Sequence, residues 1–390
     1  MGYLAKTEAV RCAVGVEFTF AASGSLALEA LSQAVPPEHR FLRPAWYEAS
    51  GAEAVLMAHA GGRPIAAFPT VAAGPPALGA RAVAGLYWPF RNILLAEDAS
   101  DGDVMEMLAM LRTGNRLGPL WRLGPVYADD PTAARLARLA PDAGWAVLKR
   151  PLGNTWVFEP GKAGSGPSEW PRPSTLKRLD GYERGLRKAG TLEIERIIGD
   201  GWTPDVLDAL AQIERESWIA SETDLTGAKF MLPARRVFWG RCIADRPLAD
   251  MLSVVLVRLD GRPIAFSLDV TVGSLGFGIA GTYAAEFGPL RVGKLANERN
   301  MLWSLERGVT RFDWGAGDSG YKQSIGFEKG SEIVDLLFVR NPLAAVALRR
   351  RWERPHEARP DDSRTLPLSR RKLAVVASLA TAAAFAAAVE

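Results

Sequence analysis

Apolar and polar residues alternate along residues 174–340 in runs that are typical of strands and helices. Apolar runs between turn residues predict strands at 191–198, 251–259, 263–271, 275–284, 310–314 and 332–339. Apolar residues at helical spacing predict helices at 174–188, 204–218, 291–307 and 318–326. Strands with helices between them, and a glycine turn in the centre, indicate a mixed α/β sheet.

A short sequence repeat links the two halves of the chain. Residues 62–66 (Gly-Arg-Pro-Ile-Ala) recur at 261–265, an offset of 261 − 62 = 199, and each copy lies between two apolar runs. This pattern is typical of a β-hairpin with a glycine-bearing turn. Residues 84–87 (Ala-Gly-Leu-Tyr) are echoed by Ala-Gly-Thr-Tyr at 280–283, an offset of 280 − 84 = 196. Two echoes at nearly equal offsets predict that one domain occurs twice.

The turn at residues 288–296 precedes the longest predicted helix of this region. The first N–H groups of a helix have no partner within the helix, and the helix dipole adds positive potential there. Arg291 and Lys294 supply two cations in the same turn. The sequence therefore predicts an anion site that suits a phosphate-bearing cofactor.

The composition fits a soluble globular protein. A chain of 390 residues with 48% hydrophobic and 23% charged residues predicts two domains of ordinary kind. A net charge of +3 gives no argument for nucleic acid binding, and none is expected.

Cysteine and histidine usage points to a reducing compartment and no metal. Cys12 and Cys242 lie far apart, which argues against a disulfide framework, and the N-terminus lacks a secretory pattern. The three histidines form no metal-ligand spacing, so no metal site is expected. We therefore expect a cytoplasmic protein.

The C-terminal segment differs in composition from the rest of the chain. Residues 349–372 carry nine Arg or Lys against four acids, and residues 373–389 form a run rich in alanine. One interpretation is a surface helix or a frayed tail. The other is peripheral attachment to an anionic membrane surface.

Residues 174–340 resemble a GNAT-type N-acyltransferase domain, and more narrowly the CelD-like bacterial subgroup related to Fem-type aminoacyltransferases. The resemblance is carried by residues 259–265 (Leu-Asp-Gly-Arg-Pro-Ile-Ala), by the turn at 288–295, and by 312–327, which include Phe-Asp-Trp-Gly and a final Gly-Phe. It implies a duplicated GNAT fold, an α/β architecture with a mixed central sheet flanked by helices. The turn departs from the usual Gln/Arg-x-x-Gly-x-Gly/Ala pattern, because its first glycine, Gly293, comes one residue early.

With this resemblance the chain divides into four parts. Residues 1–160 are expected to form a degenerate GNAT-like domain, and the Gly-, Pro- and Ser-rich residues 161–173 a linker. Residues 174–345 are expected to form the GNAT acyltransferase domain. Residues 346–390 are the basic tail and the Ala-rich segment.

The resemblance implies an acyl-CoA donor, most often acetyl-CoA, and direct transfer to an amine. The acceptor would be an amine on a sugar, a sugar nucleotide or an envelope polysaccharide precursor, bound in the cleft between the halves. The cofactor-binding residues would be those of the turn: Arg291, Val292, Gly293, Lys294, Leu295 and Ala296.

Three residues near the end of the motif are candidates for the chemistry. The resemblance makes Tyr321 the general acid, while a tyrosine packed on the sheet is the structural alternative. Asp318 could accept the amine proton or orient the acceptor, or only cap a helix. Lys322 could stabilise an oxyanion or a phosphate, or only be solvated. Asp313 is interpreted as a carboxylate at the edge of the core rather than as a binding group.

Three alternatives remain open. Residues 315–320 also satisfy G-x-G-x-x-G, as in dinucleotide or S-adenosylmethionine sites, but too few residues follow to complete such a sheet. A Fem-like enzyme that uses aminoacyl-tRNA would have the same tandem fold. A binding protein that has kept the fold and lost the chemistry is the third.

Overall fold

The computed structural model describes residues 15–22, 24–85, 91–160, 170–223, 225, 227–317 and 320–353. The Ala-rich segment and most of the basic tail, together with Asp318, lie outside the described residues. Within the described part, no helix is both long and apolar enough to cross a bilayer.

The first half contains strands β1 (Val16–Ala22), β2 (Ala54–Ala60), β3 (Arg63–Phe68), β4 (Thr70–Ala72), β5 (Arg81–Val83), β6 (Leu94–Leu95), β7 (Leu120–Tyr127) and β8 (Ala146–Phe158). Its helices are α1 (Leu26–Gln33), α2 (Pro44–Ala49), α3 (Asp101–Thr113) and α4 (Pro131–Leu139). Short 3₁₀ turns lie at Pro37–His39 and Pro76–Leu78.

The second half contains strands β9 (Leu192–Ile198), β10 (Leu252–Leu259), β11 (Arg262–Val272), β12 (Leu275–Tyr283), β13 (Arg311–Ala316) and β14 (Glu328–Val339). Its helices are α5 (Pro173–Ala189), α6 (Pro204–Arg215), α7 (Trp218–Glu222), α8 (Pro233–Ala244), α9 (Arg246–Met251), α10 (Val292–Glu306), α11 (Tyr321–Ile325) and α12 (Pro342–Trp352). Further 3₁₀ turns lie at Gly199–Gly201 and Ala285–Leu290.

The predicted elements of the second half are confirmed, with small shifts at their ends. The helix predicted to reach residue 218 ends at Arg215, and the Ser217 side chain then caps the separate helix α7. The last strand begins four residues before its predicted start, at Glu328. The mixed α/β architecture is as predicted, with one ten-stranded sheet and one four-stranded sheet.

The two hairpins of the sequence repeat have the same geometry. Gly61 and Gly62 turn with φ of 58° and 75°, and Asp260 and Gly261 with φ of 51° and 76°. Two consecutive positive φ values define the tight turn that matches the twist of a hairpin. Each hairpin also shifts its register two residues before the turn, between Ala58 and His59 in one case and between Val257 and Arg258 in the other.

The second echo lies at an equivalent place too. Ala84 donates its N–H to Pro69 O, and Ala280 pairs with Leu268. The partners Pro69 and Leu268 are 268 − 69 = 199 residues apart, which is the offset of the first echo. The two halves are therefore copies of one fold, as the repeat predicted.

Each half contributes a strand that pairs with strands of the other half. The ten-stranded sheet has the order β4-β5-β7-β14-β8-β13-β12-β11-β10-β9. Strand β14 of the second half lies between β7 and β8 of the first, and β8 lies between β14 and β13. One continuous sheet therefore runs through both halves.

Helices cover both faces of the second half of this sheet. Helix α6 packs on one face of β11 and β12, in the core that also encloses the first half. Helices α5 and α10 cover the other face, over Val255, Val257 and Ile264. A side chain on β12 or β13 therefore contacts either α10 or the first half, depending on the face of the sheet on which it lies.

Candidate functional site

The central feature is a gap between strands β12 and β13. These parallel strands pair from Leu275 with Arg311 to Phe277 with Asp313, and the pairing then ends. Beyond that point β12 continues along β11 as far as Tyr283. Strand β13 continues towards Ala316, which pairs with β8. The two strands therefore part at their carboxyl ends, and their facing backbone groups are left for another partner.

A β-bulge accompanies this separation. Leu268 pairs with Ala280 and Asp269 pairs with Gly278, so Ile279 is an extra residue on β12. A bulge bends the strand that carries it and increases its local twist. The bulge lies directly after the last pair with β13, where β12 turns away.

Helix α10 begins at the open end of this gap. Its first internal hydrogen bond runs from Leu295 N–H to Arg291 O at 3.1 Å, and no side chain caps the helix. In the part of the chain that the structure describes, the N–H groups of Val292, Gly293 and Lys294 have no acceptor. Arg291 itself has a left-handed backbone, with φ of 59°. Three free donors and the positive end of the dipole therefore meet at the gap.

The predicted cofactor-binding residues of this turn fall into two groups. Val292, Leu295 and Ala296 are buried in the core, so only their main chain is left to face a ligand. Arg291 and Lys294 are exposed, and neither forms an ion pair with any described residue. The site thus offers two cations and three N–H groups to an anion.

Gly293 allows the Tyr283 ring to lie on the first turn of α10. A Cβ atom at Gly293 would be only 2.5 Å from Tyr283 Cδ1. No L side chain fits there unless the ring moves. The glycine that is one residue early in the sequence therefore has a packing role in this chain.

Trp314 and Tyr321 lie on the β13 side of the gap. A Cβ atom at Gly278 would be 2.5 Å from Trp314 Cδ1, so the indole covers β12 where the strands part. The Tyr321 ring lies against Trp314, with ring centroids 5.9 Å apart, and is 38% exposed. The candidate general acid is therefore next to the gap and accessible from solvent.

Lys322 is buried. Its ammonium donates to Trp314 O at 2.6 Å and to Gly315 O at 3.1 Å, which ties α11 to the end of β13. These bonds give Lys322 a structural role, and the sequence interpretation of a solvated lysine is wrong, since the side chain is 4% exposed. Asp318, the third candidate, lies outside the described residues.

A pocket of about 170 Å³ lies between the halves, on the face of β12 and β13 away from α10. The second half lines it with residues 275–277 and with Arg311, Asp313 and Ser331. The first half contributes Glu38, His39, Phe41, Tyr127 and residues 129–131. The pocket thus spans the last paired residues of the two strands that part.

Asp313, which the sequence pattern favours as a carboxylate at the edge of the core rather than as a binding group, lies in this pocket. It accepts hydrogen bonds from Tyr127 Oη and from Gly315 N–H, both at 2.8 Å. Burial raises the pKa of Asp313 to about 6, although these two donors oppose the rise. The strand alternation Phe312-Asp313-Trp314 already placed it on the opposite face from its apolar neighbours.

The pocket also contains a buried His–Asp pair that no local sequence pattern indicates. His39 Nε2 lies 2.6 Å from Asp130 Oδ2, and both side chains are more than nine-tenths buried. Burial lowers the pKa of His39, but the Asp130 carboxylate outweighs it, so the pKa lies above its ordinary value. His39 Nδ1 is buried and has no hydrogen-bond partner among the described residues.

Residues 173–323 match the family model described as the acetyltransferase (GNAT) domain. No curated protein matches the chain. The match spans α5 to α11 and so contains the gap, the start of α10, and Tyr321.

Solved structures extend the likeness to both halves. FemX has a TM-score of 0.54 at 11% identity, over 85% of this chain and 100% of its own. L-PGS from Bacillus licheniformis has 0.51 at 12%, over 87% and 97%. The C-terminal domain of a putative lysylphosphatidylglycerol synthetase from Agrobacterium fabrum has 0.50 at 15%, over 83% and 93%. At these identities the likeness shows the fold.

Proposed function

We propose, from the match of residues 173–323 to the GNAT acetyltransferase family model, that this protein transfers an acyl group from acyl-CoA to an amine. The gap between β12 and β13 would take the pantetheine arm, which can pair with strand backbone like an additional strand. The start of α10 would hold the diphosphate. Acetyl-CoA is the donor that we expect, as the resemblance to GNAT acyltransferases implies.

One observation carries this proposal: three N–H groups of α10 and two cations, none of which has a partner among the described residues, meet at the open end of the gap. Charge-assisted hydrogen bonds to phosphate are shorter and stronger than neutral ones. A strand gap without an anion site, or an anion site without a gap, would not suit a thioester carrier with a diphosphate.

The reaction needs positioning more than covalent catalysis. The amine attacks the thioester carbon directly, and holding both reactants together supplies in advance the entropy of their encounter. Tyr321 would donate a proton to the departing sulfur. We propose that the acceptor is an amine on a sugar, a sugar nucleotide or an envelope polysaccharide precursor.

A second candidate is transfer from aminoacyl-tRNA, as the Fem-like resemblance implies. One observation favours it: helix α5, which packs against α10, exposes several cations. They are Lys177, Arg178, Arg184, Arg187 and Lys188. A basic helix that packs beside α10 suits a polyanionic donor.

The two candidates are separated by titrating the protein with acetyl-CoA and with aminoacyl-tRNA in a calorimeter. Saturable binding of acetyl-CoA supports the first proposal, and binding of tRNA alone supports the second. Arg291→Gln with Lys294→Gln should weaken acetyl-CoA binding by about tenfold or more, because charge-assisted bonds are lost.

The matched control is Arg187→Gln with Lys188→Gln, which removes the same charge from the exposed end of α5. It should leave acetyl-CoA binding unchanged. Acetyl-pantetheine, which lacks the diphosphate, should bind both double variants equally. If the two double variants lost acetyl-CoA affinity to the same degree, the diphosphate would not lie at α10.

A further inference from the structure

The pocket between the halves has an acidic lining. Glu38, Asp129 and Asp313 line it, and each lies outside the ion pairs of the described residues. The cation Arg311 lies 3.6 Å from Glu159, and His39 is paired with Asp130. The unbalanced charge of the lining is therefore negative, which suits a cationic group.

A second, independent feature points to a ligand. His39 Nδ1, the ring nitrogen that is not paired with Asp130, is buried and has no hydrogen-bond partner among the described residues. Leaving a buried polar atom without a partner is unfavourable. A hydroxyl group of a molecule in the pocket can donate to this nitrogen or accept from it, and so would satisfy it in either protonation state. The lining thus suits a small group with both an ammonium and a hydroxyl.

The volume limits what can enter. Pockets that enclose a whole drug-sized ligand measure about 300–1,000 Å³, whereas this one measures about 170 Å³. It suits the reactive end of a molecule such as an amino sugar or an amino alcohol.

We propose that this pocket binds the amine end of the acceptor and that Asp313 takes its proton, with Tyr127 of the first half as a positioning residue. This inference rests on the proposed function. Asp313 forms the last pair before β12 and β13 part, and a strand rises about 3.3 Å per residue. The proton acceptor therefore lies within one or two residues of the gap that would admit the thioester.

The acceptor enters as an ammonium and gives one proton to the ionised Asp313 carboxylate, which frees the lone pair of its nitrogen. The nitrogen then bonds to the thioester carbon, and the carbon–sulfur bond breaks. The nitrogen releases its second proton to water, and the departing thiolate takes a proton from Tyr321, which regains one from water. Tyr127 donates to the other oxygen of Asp313 and so keeps the carboxylate aimed into the pocket.

The test measures the ionisation of Asp313 directly, so it does not depend on knowing the acceptor. The carboxyl carbon of Asp313 is followed by ¹³C NMR across a pH titration in aspartate-labelled protein, and Asp313→Asn assigns the signal. Ethylammonium chloride should lower the pKa of Asp313 by about one unit, because a bound ammonium favours the carboxylate. Tetramethylammonium chloride at equal ionic strength has no N–H and should not.

Two variants complete the test. Tyr127→Phe should raise the pKa of Asp313, because a donor to the carboxylate is lost. Tyr47→Phe, which removes a buried hydroxyl bonded to Asn92 O outside the pocket, should leave it unchanged. Equal effects of the two ammonium salts, or no effect of either, would overturn the pocket assignment.

The experiments distinguish a failure of the pocket assignment from a failure of the proposed acyl-CoA donor. Asp313→Asn should bind acetyl-CoA as the wild type does, since Asp313 faces away from α10. If the wild type failed to bind acetyl-CoA but ethylammonium still shifted Asp313, the pocket would stand and the donor would be wrong. If acetyl-CoA bound and ethylammonium did nothing, the donor would stand and the pocket assignment would fail.

Discussion

Tyr321 combines exposure with a fixed position. Its ring lies against Trp314, which in turn stacks on Phe327 with centroids 4.2 Å apart. Gly320 before it has a left-handed backbone with φ of 90°, and this turns the chain into α11. The hydroxyl is therefore carried on a short helix beside the gap rather than on a loose loop.

Replacing Tyr321 by Phe should lower turnover by about 100-fold, because a proton donor to the sulfur is lost. The affinity for acetyl-CoA should stay within about twofold, since the diphosphate would bind at α10 instead. Thiol release and calorimetric titration measure the two quantities. Tyr182→Phe on α5 is the control, and an unchanged turnover in Tyr321→Phe would remove this residue from the acid role.

Asp313 should set the acidic limb of the pH profile. A base with a pKa of about 6 is largely protonated at pH 5 and largely ionised at pH 7. Transfer from acetyl-CoA should therefore rise with pH through about 6, measured as kcat/KM. Asp313→Asn should abolish this limb and lower the plateau. Asp269→Asn removes another buried carboxyl, on the face that meets α10, and should keep the limb.

For single residues, the sequence indicated some of the side chains at the site, but it did not indicate which distant residues contact them. Tyr321 was identified through the family pattern, and the structure places it beside the gap. Asp313 was visible as a carboxylate inside an apolar strand, but its partner Tyr127 lies 186 residues earlier in the chain. His39 and Asp130 carry no local pattern, because only the fold brings them together.

At the scale of elements, the start of α10 depends on Gly293. Gly293→Ala would force the Tyr283 ring away from the helix and shift the first turn, so acetyl-CoA should bind about tenfold more weakly. Gly185→Ala in α5 is the matched control, because a Cβ atom there meets nothing within 4 Å. Calorimetric titration measures both.

A second substitution keeps this prediction decisive. Combining Gly293→Ala with Tyr283→Ala removes the clash, so part of the affinity should return. If Tyr283→Ala alone weakened acetyl-CoA binding, Tyr283 would itself contact the ligand. If the double variant bound no better than Gly293→Ala, the clash would not explain the loss. A lowered melting temperature in Gly293→Ala alone would report the packing cost separately.

The elements themselves were largely predictable, because strand and helix periodicity is a local property. Helix α10 and strand β12 were each predicted to within a residue or two of their observed ends. The bulge at Ile279 and the 3₁₀ turn at Ala285–Leu290 were not. Both arise from how β12 pairs with β11 and separates from β13, and a pattern of apolar residues does not contain that information.

The duplication of the whole molecule was likewise predicted by the repeat, whereas the exchange of strands was not. Strands β8 and β14 pair with each other along most of their length, and each also joins the other half. Alternating polarity tells which face of a strand is buried but not which strand lies beside it. The consequence is that neither half has a complete sheet alone.

Asp335 connects the exchanged strands and offers a test of this interdependence. It is fully buried on β14, and it accepts from Arg122 of β7 at 2.8 and 3.0 Å and from Arg150 of β8. Asp335→Ala would leave both guanidinium groups without their carboxylate, which should cost about 3–5 kcal/mol. Asp250→Ala breaks only an exposed i,i+4 pair with Arg246 and should cost little.

Denaturant unfolding followed by tryptophan fluorescence and by circular dichroism measures the effect. Because one sheet runs through both halves, Asp335→Ala should lower the midpoint of a single transition, and the two probes should coincide. Tryptophans in both halves, among them Trp121 and Trp239, are buried and report on each. Two separate transitions, with only one shifted by Asp335→Ala, would show that the halves fold independently and that the exchanged strands do not couple them.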